Sequence, residues 1–353
     1  MEKNEKPQFK ECFVKANLTA VTNLNPSIKP NIQAPEKKDF VPLLNGIPTN
    51  GLISVSISNT PPVIDKITGK ASIRKGSLNI YIDEYNKLTS GLRTSTSKLL
   101  DACAMKLTEQ SNYRSNRNLK TLVQISLNEY AEMCGKPLTK ASIKKLRQTV
   151  KEDLETLYRI SLEWTEAKGG KVKDFAKMRI TNSVGIVKGV INFNFTPEMA
   201  MYLVNSYIMQ FPLEALKLDE RNPNVYPLGR KLALHASIDN NKLRHTDDIL
   251  SVEALLPVCP GIPTYERIMK EDKKVKQRII LPFIRALDSI TFLESWEFCT
   301  AERIPVPKKQ VEKMNYKSFT ELYVHFKIRD IPDQSTRLEK RAEKVKTQKA
   351  KSR

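Results

Sequence analysis

Between Val123 and Leu157 the chain spells a strand, a short helix, a glycine turn and a longer helix, and that order leaves few folds open. Val123, Ile125 and Leu127 alternate with polar neighbours, which is a strand signal. Ser126 followed by Glu129 has capping-box spacing, so a helix is expected from about Asn128. It carries Tyr130, Ala131 and Met133 and stops at Gly135, a residue that tolerates the positive φ of a helix C-cap. Thr139 suits the N-cap of a second helix. The apolar positions of that helix, Ile143, Leu146, Val150, Leu154 and Leu157, recur at helical spacing. Helix, tight turn, longer helix is the helix-turn-helix pattern.

The second helix is chemically lopsided. Lys140, Lys144, Arg147 and Lys151 form a stripe opposite the apolar one. From Lys136 to Gln148 there are five basic residues and no acidic one, and the acids Glu152, Asp153 and Glu155 follow only afterwards. A solvated helix face usually mixes signs, whereas this one concentrates positive charge on the first turns, where a recognition helix enters the major groove. Downstream, Phe175–Thr181 and Val190–Phe195 read as the two strands of a β-hairpin turned near Gly185 and Gly189. Lys177, Arg179, Asn182 and Lys188 are its candidate contacts to phosphates or a minor groove. Strand, helix-turn-helix, hairpin is the order of a winged helix, closed by a helix from Pro197.

The pattern then returns. Ile249-Leu250-Ser251-Val252-Glu253 leads to Cys259 as Ile125-Ser126-Leu127-Asn128-Glu129 leads to Cys134, with eight residues from Ser to Cys in both. A basic helix follows each. The second is expected from about Asp272, with Lys273, Lys274, Lys276, Gln277 and Arg278, then Ile279, Phe283, Ala286, Leu287 and Ile290 buried, and a kink or restart at Pro282. The only two Trp, 164 and 296, follow the two helices, and Trp296–Cys299 and Tyr323–Ile328 are the second wing's candidate strands. A repeat of this kind governs the whole architecture.

Charge and composition close off other classes. Lys plus Arg is 59 against 39 for Asp plus Glu, a formal charge of +20, which favours polyanionic partners. No apolar run reaches the ~20 residues of a membrane span. Met1-Glu2-Lys3-Asn4-Glu5 opens no secretory signal, so a cytoplasmic, nucleoid- or plasmid-associated location is expected. The five Cys are scattered without C-x-x-C spacing, so neither a metal site nor disulfides are expected, and no cofactor. There is no phosphate-loop motif, and Gly229-Arg230-Lys231 cannot make one. Three separate His give no catalytic cluster, and His235 reads as a packed side chain.

The fold class expected is α+β: two tandem winged-helix domains, with a disordered N-terminal segment and a basic C-terminal tail. The boundaries are 1–75 for the proline-rich segment, 76–210 and 211–332 for the two domains, and 333–353 for the tail. Ile53, Val55 and Ile57 mark a strand within the first segment. From Arg337 to Arg353 eight basic residues face two acidic ones, which suits non-specific DNA affinity.

Three stretches carry a resemblance: Thr94–Ala102 (TSTSKLLDA), Val150–Leu157 (VKEDLETL) and Pro332–Glu339 (PDQSTRLE). With the duplicated plan, spanning about Ser77 to Asp330, they resemble the plasmid replication initiator (Rep) proteins built from two winged helices. The resemblance implies a non-enzymatic protein that binds repeated double-stranded sites at an origin, helps melt AT-rich DNA and recruits a host helicase or its loader. Members of this family also act as dimers on their own promoters, so a homodimer is an implied state. Carried onto this sequence, the base-reading candidates are Lys140, Lys144, Arg147 and Gln148, then Lys274, Gln277, Arg278 and Arg285. Arg and Gln suit guanine and adenine edges, and Lys suits phosphates. A winged-helix transcriptional repressor or copy-number regulator is the alternative. A strand-transferring enzyme ranks last, because its Tyr or Ser nucleophile would need an Arg/His cluster.

Overall fold

Alternation writes the strands and 3.6-residue periodicity the helices, and the two signals assemble into sheets flanked by helices. The computed structural model describes residues 40–45, 63–65, 67–75, 78–85, 93–110, 120–168, 171–204, 207–237, 248–271 and 274–329. In chain order the first part holds β1 (Phe40–Asn45), β2 (Val63–Ile64), β3 (Ala71–Lys75), β4 (Leu78–Ile82), α1 (Thr94–Gln110), β5 (Leu122–Ser126), α2 (Leu127–Met133) and α3 (Lys140–Tyr158). There follow β6 (Ile160–Lys168), β7 (Lys171–Arg179), β8 (Thr181–Val187), β9 (Val190–Phe195), α4 (Pro197–Val204), β10 (Tyr207–Pro212) and α5 (Glu214–Lys217). The second part holds α6 (Val225–Ser237), β11 (Asp248–Ser251), α7 (Val252–Leu255), α8 (Tyr265–Glu271), a π turn (Lys276–Ile280), α9 (Leu281–Asp288), β12 (Leu293–Cys299), β13 (Pro305–Val306), α10 (Lys308–Val311), α11 (Tyr316–Thr320) and β14 (Tyr323–Ile328).

The first part carries three sheets, one of them the β1-β10 pair, and the strands expected as one hairpin are divided between the other two. Strands β5, β9 and β8 form an antiparallel sheet in the order β5-β9-β8, and β2-β3-β4-β6-β7 form a separate five-stranded one. Strand β7 therefore ends at Arg179, paired with β6, and the wing is β8 and β9. The signal for the switch is local. Met178 is buried and Lys177 and Arg179 are exposed, but Ile180 and Thr181 are buried consecutively, which breaks the two-residue period where the chain leaves one sheet for the other. Gly185 lies inside β8 opposite Asn192, not in a turn. The wing turns on Lys188 (φ +48°) and Gly189 (φ +79°), the two left-handed residues a two-residue hairpin loop requires.

The repeat holds in three dimensions. The order β11-β14-β12 reproduces β5-β9-β8, with β13 added at the edge. Ser126 and Ser251 cap their helices identically, accepting from Glu129 N at 3.0 Å and from Ala254 N at 3.2 Å. One residue on, Leu127 N donates to Gly189 O and Val252 N to Leu322 O, both at 2.8 Å. Cys134 and Cys259 are both buried. The two Trp, however, are not equivalent. Trp164 lies in β6 of the five-stranded sheet, and Trp296 in β12, whose topological counterpart is β8.

Helix α1 runs through the middle of the first part, packed on β1, α3, β5 and α4. The expected strand at 53–57, most of the N-terminal segment and the basic tail lie outside the described residues.

Candidate nucleic-acid interface

Helix α3 starts at its expected cap: Thr139 Oγ1 accepts from Ser142 N at 3.3 Å. Gly135 supplies the left-handed turn before it, at φ +63°. One side of α3 buries Leu146, Val150, Leu154 and Leu157. The other leaves Lys140, Lys144, Lys145, Arg147, Gln148 and Lys151 exposed. The wing strand β8 packs against this helix, so the Lys188 turn belongs to the same surface unit. The stripe is not uniform in role. Gln148 Nε2 donates to Glu152 Oε1 at 2.9 Å, and Lys151 lies 3.8 Å from Glu155. Lys140, Lys144, Lys145 and Arg147 on the first two turns carry the positive face.

The acids that follow turn inward or brace the helix. Asp153 is buried, and its Oδ1 accepts from Thr96 Oγ1 (2.7 Å), Ser95 Oγ (3.1 Å) and Arg93 Nε (3.0 Å). Burial pushes its carboxyl above the ordinary range, against those three donors, and its Oδ2 has no hydrogen-bond partner. Arg93 also donates to Glu152 Oε2 at 2.9 Å and to Thr149 O at 3.3 Å. The bond from Gln148, then Arg93, holds Glu152 below the usual carboxylate range. Two of the sequence stretches singled out above thus meet: the start of α1 grips the last turns of α3.

Two expected wing residues are elsewhere. Lys177 and Arg179 lie on β7 in the five-stranded sheet. Lys177 sits 5.4 Å from the Tyr81 ring centre, and Arg179 lies 3.6 Å from Asp83. They belong to a different sheet from the wing because the chain changes sheets after Arg179. Asn182 and Lys188 are exposed on the wing itself.

A separate helix, α8, precedes the expected basic helix. Thr264 takes the place of Thr139: Ile268 N donates to Thr264 O at 3.1 Å as Ile143 N does to Thr139 O at 2.9 Å. Helical residues run from Tyr265, so Glu266 and Arg267, both exposed, occupy the first turn. Pro260 and Pro263 sit before α8, whose first turn mixes signs. Lys274, Gln277, Arg278 and Arg285 are exposed further along, and Lys273 lies outside the described residues. The restart expected at Pro282 is the π turn 276–280 passing into α9, which places the ring in its first turn.

An insertion between β12 and β14 lies along this helix. Tyr316 stacks on Tyr265 with ring centres 4.2 Å apart, and Lys276 pairs with Glu312 at 3.0 Å. Lys308 pairs with Asp288 at 2.7 Å and lies 4.0 Å above Trp296. Lys276 is thereby turned to the insertion, away from the side bearing Gln277 and Arg278. Among the described residues no group of three or more His, Cys, Asp or Glu could hold a metal, and no helix is long and apolar enough to cross a membrane.

Residues 81–217 match the family model described as initiator replication protein, WH1, its first winged helix. The matched span contains α1, the helix-turn-helix and the wing. Among solved structures, domains 2 and 3 of RctB are similar at 12% identity and a TM-score of 0.42, covering 80% of this chain and 99% of that one. The Pi initiator protein in complex with iteron DNA is similar at 12% identity and 0.40, covering 73% and 100%. No curated protein matches the chain.

Proposed function

We propose, from the match of residues 81–217 to the first winged helix of replication initiators, that the chain starts plasmid or mobile-element replication by binding repeated duplex sites at an origin with both of its helix-turn-helix units. One observation carries the reading: the family's winged helix coincides with the exposed, all-basic first turns of α3 and the adjoining wing. Arg147 is assigned to a base edge and Lys140, Lys144 and Lys188 to phosphates, by the geometry of a fork against a point charge. In the second unit the reading residues begin at Arg267, ahead of Lys274, Gln277 and Arg278.

The protein acts in the cytoplasm without a catalytic step of its own, by opening AT-rich DNA and recruiting a helicase or its loader. The test is footprinting on DNA flanking the chain's own gene, against random competitor at ~150 mM salt. Several regularly spaced protected repeats beside an AT-rich tract are the expected result. A single palindromic promoter site would indicate a repressor instead.

A further inference from the structure

Helix α1 carries an unusual load of buried polarity: Thr94, Ser95, Thr96, Ser97, Lys98 and Asp101 are all shielded from water. Ser95 and Thr96 hold α3. The other two charges hold what comes after the first winged helix. Asp101 takes a two-pronged hydrogen bond from Arg230, Nε to Oδ2 at 2.6 Å and Nη2 to Oδ1 at 3.0 Å, and a third bond from Tyr226 OH. Lys98 Nζ donates to Leu218 O at 2.6 Å and to Glu220 at 3.2 Å, and Glu220 also lies 3.6 Å from Lys136 in the helix-turn-helix turn.

Arg230 and Tyr226 belong to α6, which packs on α9, the helix that carries Arg285. Gly229 permits a close approach there, since a Cβ would meet Phe292 at 3.0 Å. The link is therefore a relay: α1 is bonded to α3 through Ser95 and Thr96 and to α6 through the buried Asp101, and α6 in turn packs on α9. A buried ion pair adds little net stability over an apolar packing of the same shape. A planar fork on a carboxylate does fix orientation.

We infer that the Asp101–Arg230–Tyr226 network, seconded by Lys98–Glu220, locks the two recognition helices at one separation and angle and so sets the single half-site spacing the chain accepts. This rests on the reading that both helices engage duplex DNA. Each base pair inserted between half-sites shifts the second by about 3.4 Å and about 35°, which a locked pair cannot follow.

The test is the affinity of the full chain for duplexes in which the spacing between the two footprinted half-sites is changed by one, two or ten base pairs. The wild type should lose about tenfold or more at one, two and ten alike, because a full turn restores the angle but moves the second half-site by about 34 Å. The variant Asp101→Leu/Tyr226→Phe/Arg230→Met keeps apolar volume and loses the directional bonds. It should retain its thermal midpoint while its penalty for a changed spacing falls to about threefold or less. If it does not fold, Glu220→Gln should soften the same profile to an intermediate degree. A wild type indifferent to spacing, or a folded variant as strict as the wild type, would overturn the lock. Failure of the wild type to bind either half-site alone or paired would overturn the two-helix reading beneath it.

Discussion

Thr96, in the first turn of α1, donates a 2.7 Å hydrogen bond to the buried carboxylate of Asp153 on α3. The pair joins two distinctive sequence stretches and holds the start of α1 to α3. Asp153→Ala removes the acceptor of three donors at once. It should destabilise the chain by about 1.5–3 kcal/mol in urea unfolding, since bonds to a charged group are at stake. A loss within a few tenths of a kcal/mol would mean that the clamp is incidental.

Lys98 gives a pH signature. Burial, opposed by Glu220, pulls its ammonium below the ordinary value of 10.5. In the window between the lowered value and 10.5 the unfolded chain binds more protons than the folded one, so this group makes stability rise with pH there. Lys98→Met lacks that rise. The difference between wild type and Lys98→Met in chemical denaturation should therefore shift in favour of the wild type as the pH climbs through the window. An unchanged difference would sink the assignment.

Ser126→Ala and Ser251→Ala should each cost about 1 kcal/mol, because each removes one helix cap. The caps sit in different sheets, so the double variant should lose about the sum, as thermal unfolding would show. A much smaller double loss would show the two units to be coupled through their caps.

Gly189→Ala tests the wing. Nothing lies within 4 Å of an added Cβ, but φ is +79°. The cost is backbone strain alone, about 1–2 kcal/mol, together with weaker binding to all DNA as Lys188 is displaced. A gain in stability would contradict the turn geometry.

Arg147→Ala and Arg267→Ala should each cost about 1–3 kcal/mol on the natural site and relax the base preference at one position. Lys188→Ala should weaken natural and random duplexes alike and reduce the salt slope by about one. Equal losses on both duplexes for either Arg variant would reassign that Arg to a phosphate.

The sequence alone determined the local grammar of this protein. Ser126, Gly135 and Thr139 fix the first helix-turn-helix because caps and left-handed turns depend on a residue and its nearest neighbours. The 125-residue step to Ser251 exposed the repeat for the same reason. What local signals could not carry was sheet membership. Lys177 and Arg179 read as wing residues because β7 and β8 are nearly continuous in sequence, and only long-range pairing assigns β7 to β6. Helix α8 was also hidden, since charge density pointed past Tyr265 while its first turn, marked by the backbone bond from Ile268 to Thr264, mixes signs. The buried pairs of Asp101, Asp153 and Lys98 were invisible for a further reason. A charged residue on a helix is ordinarily solvated, and only packing from Arg230, Arg93 and Glu220 removes the water and turns each charge into an orienting contact.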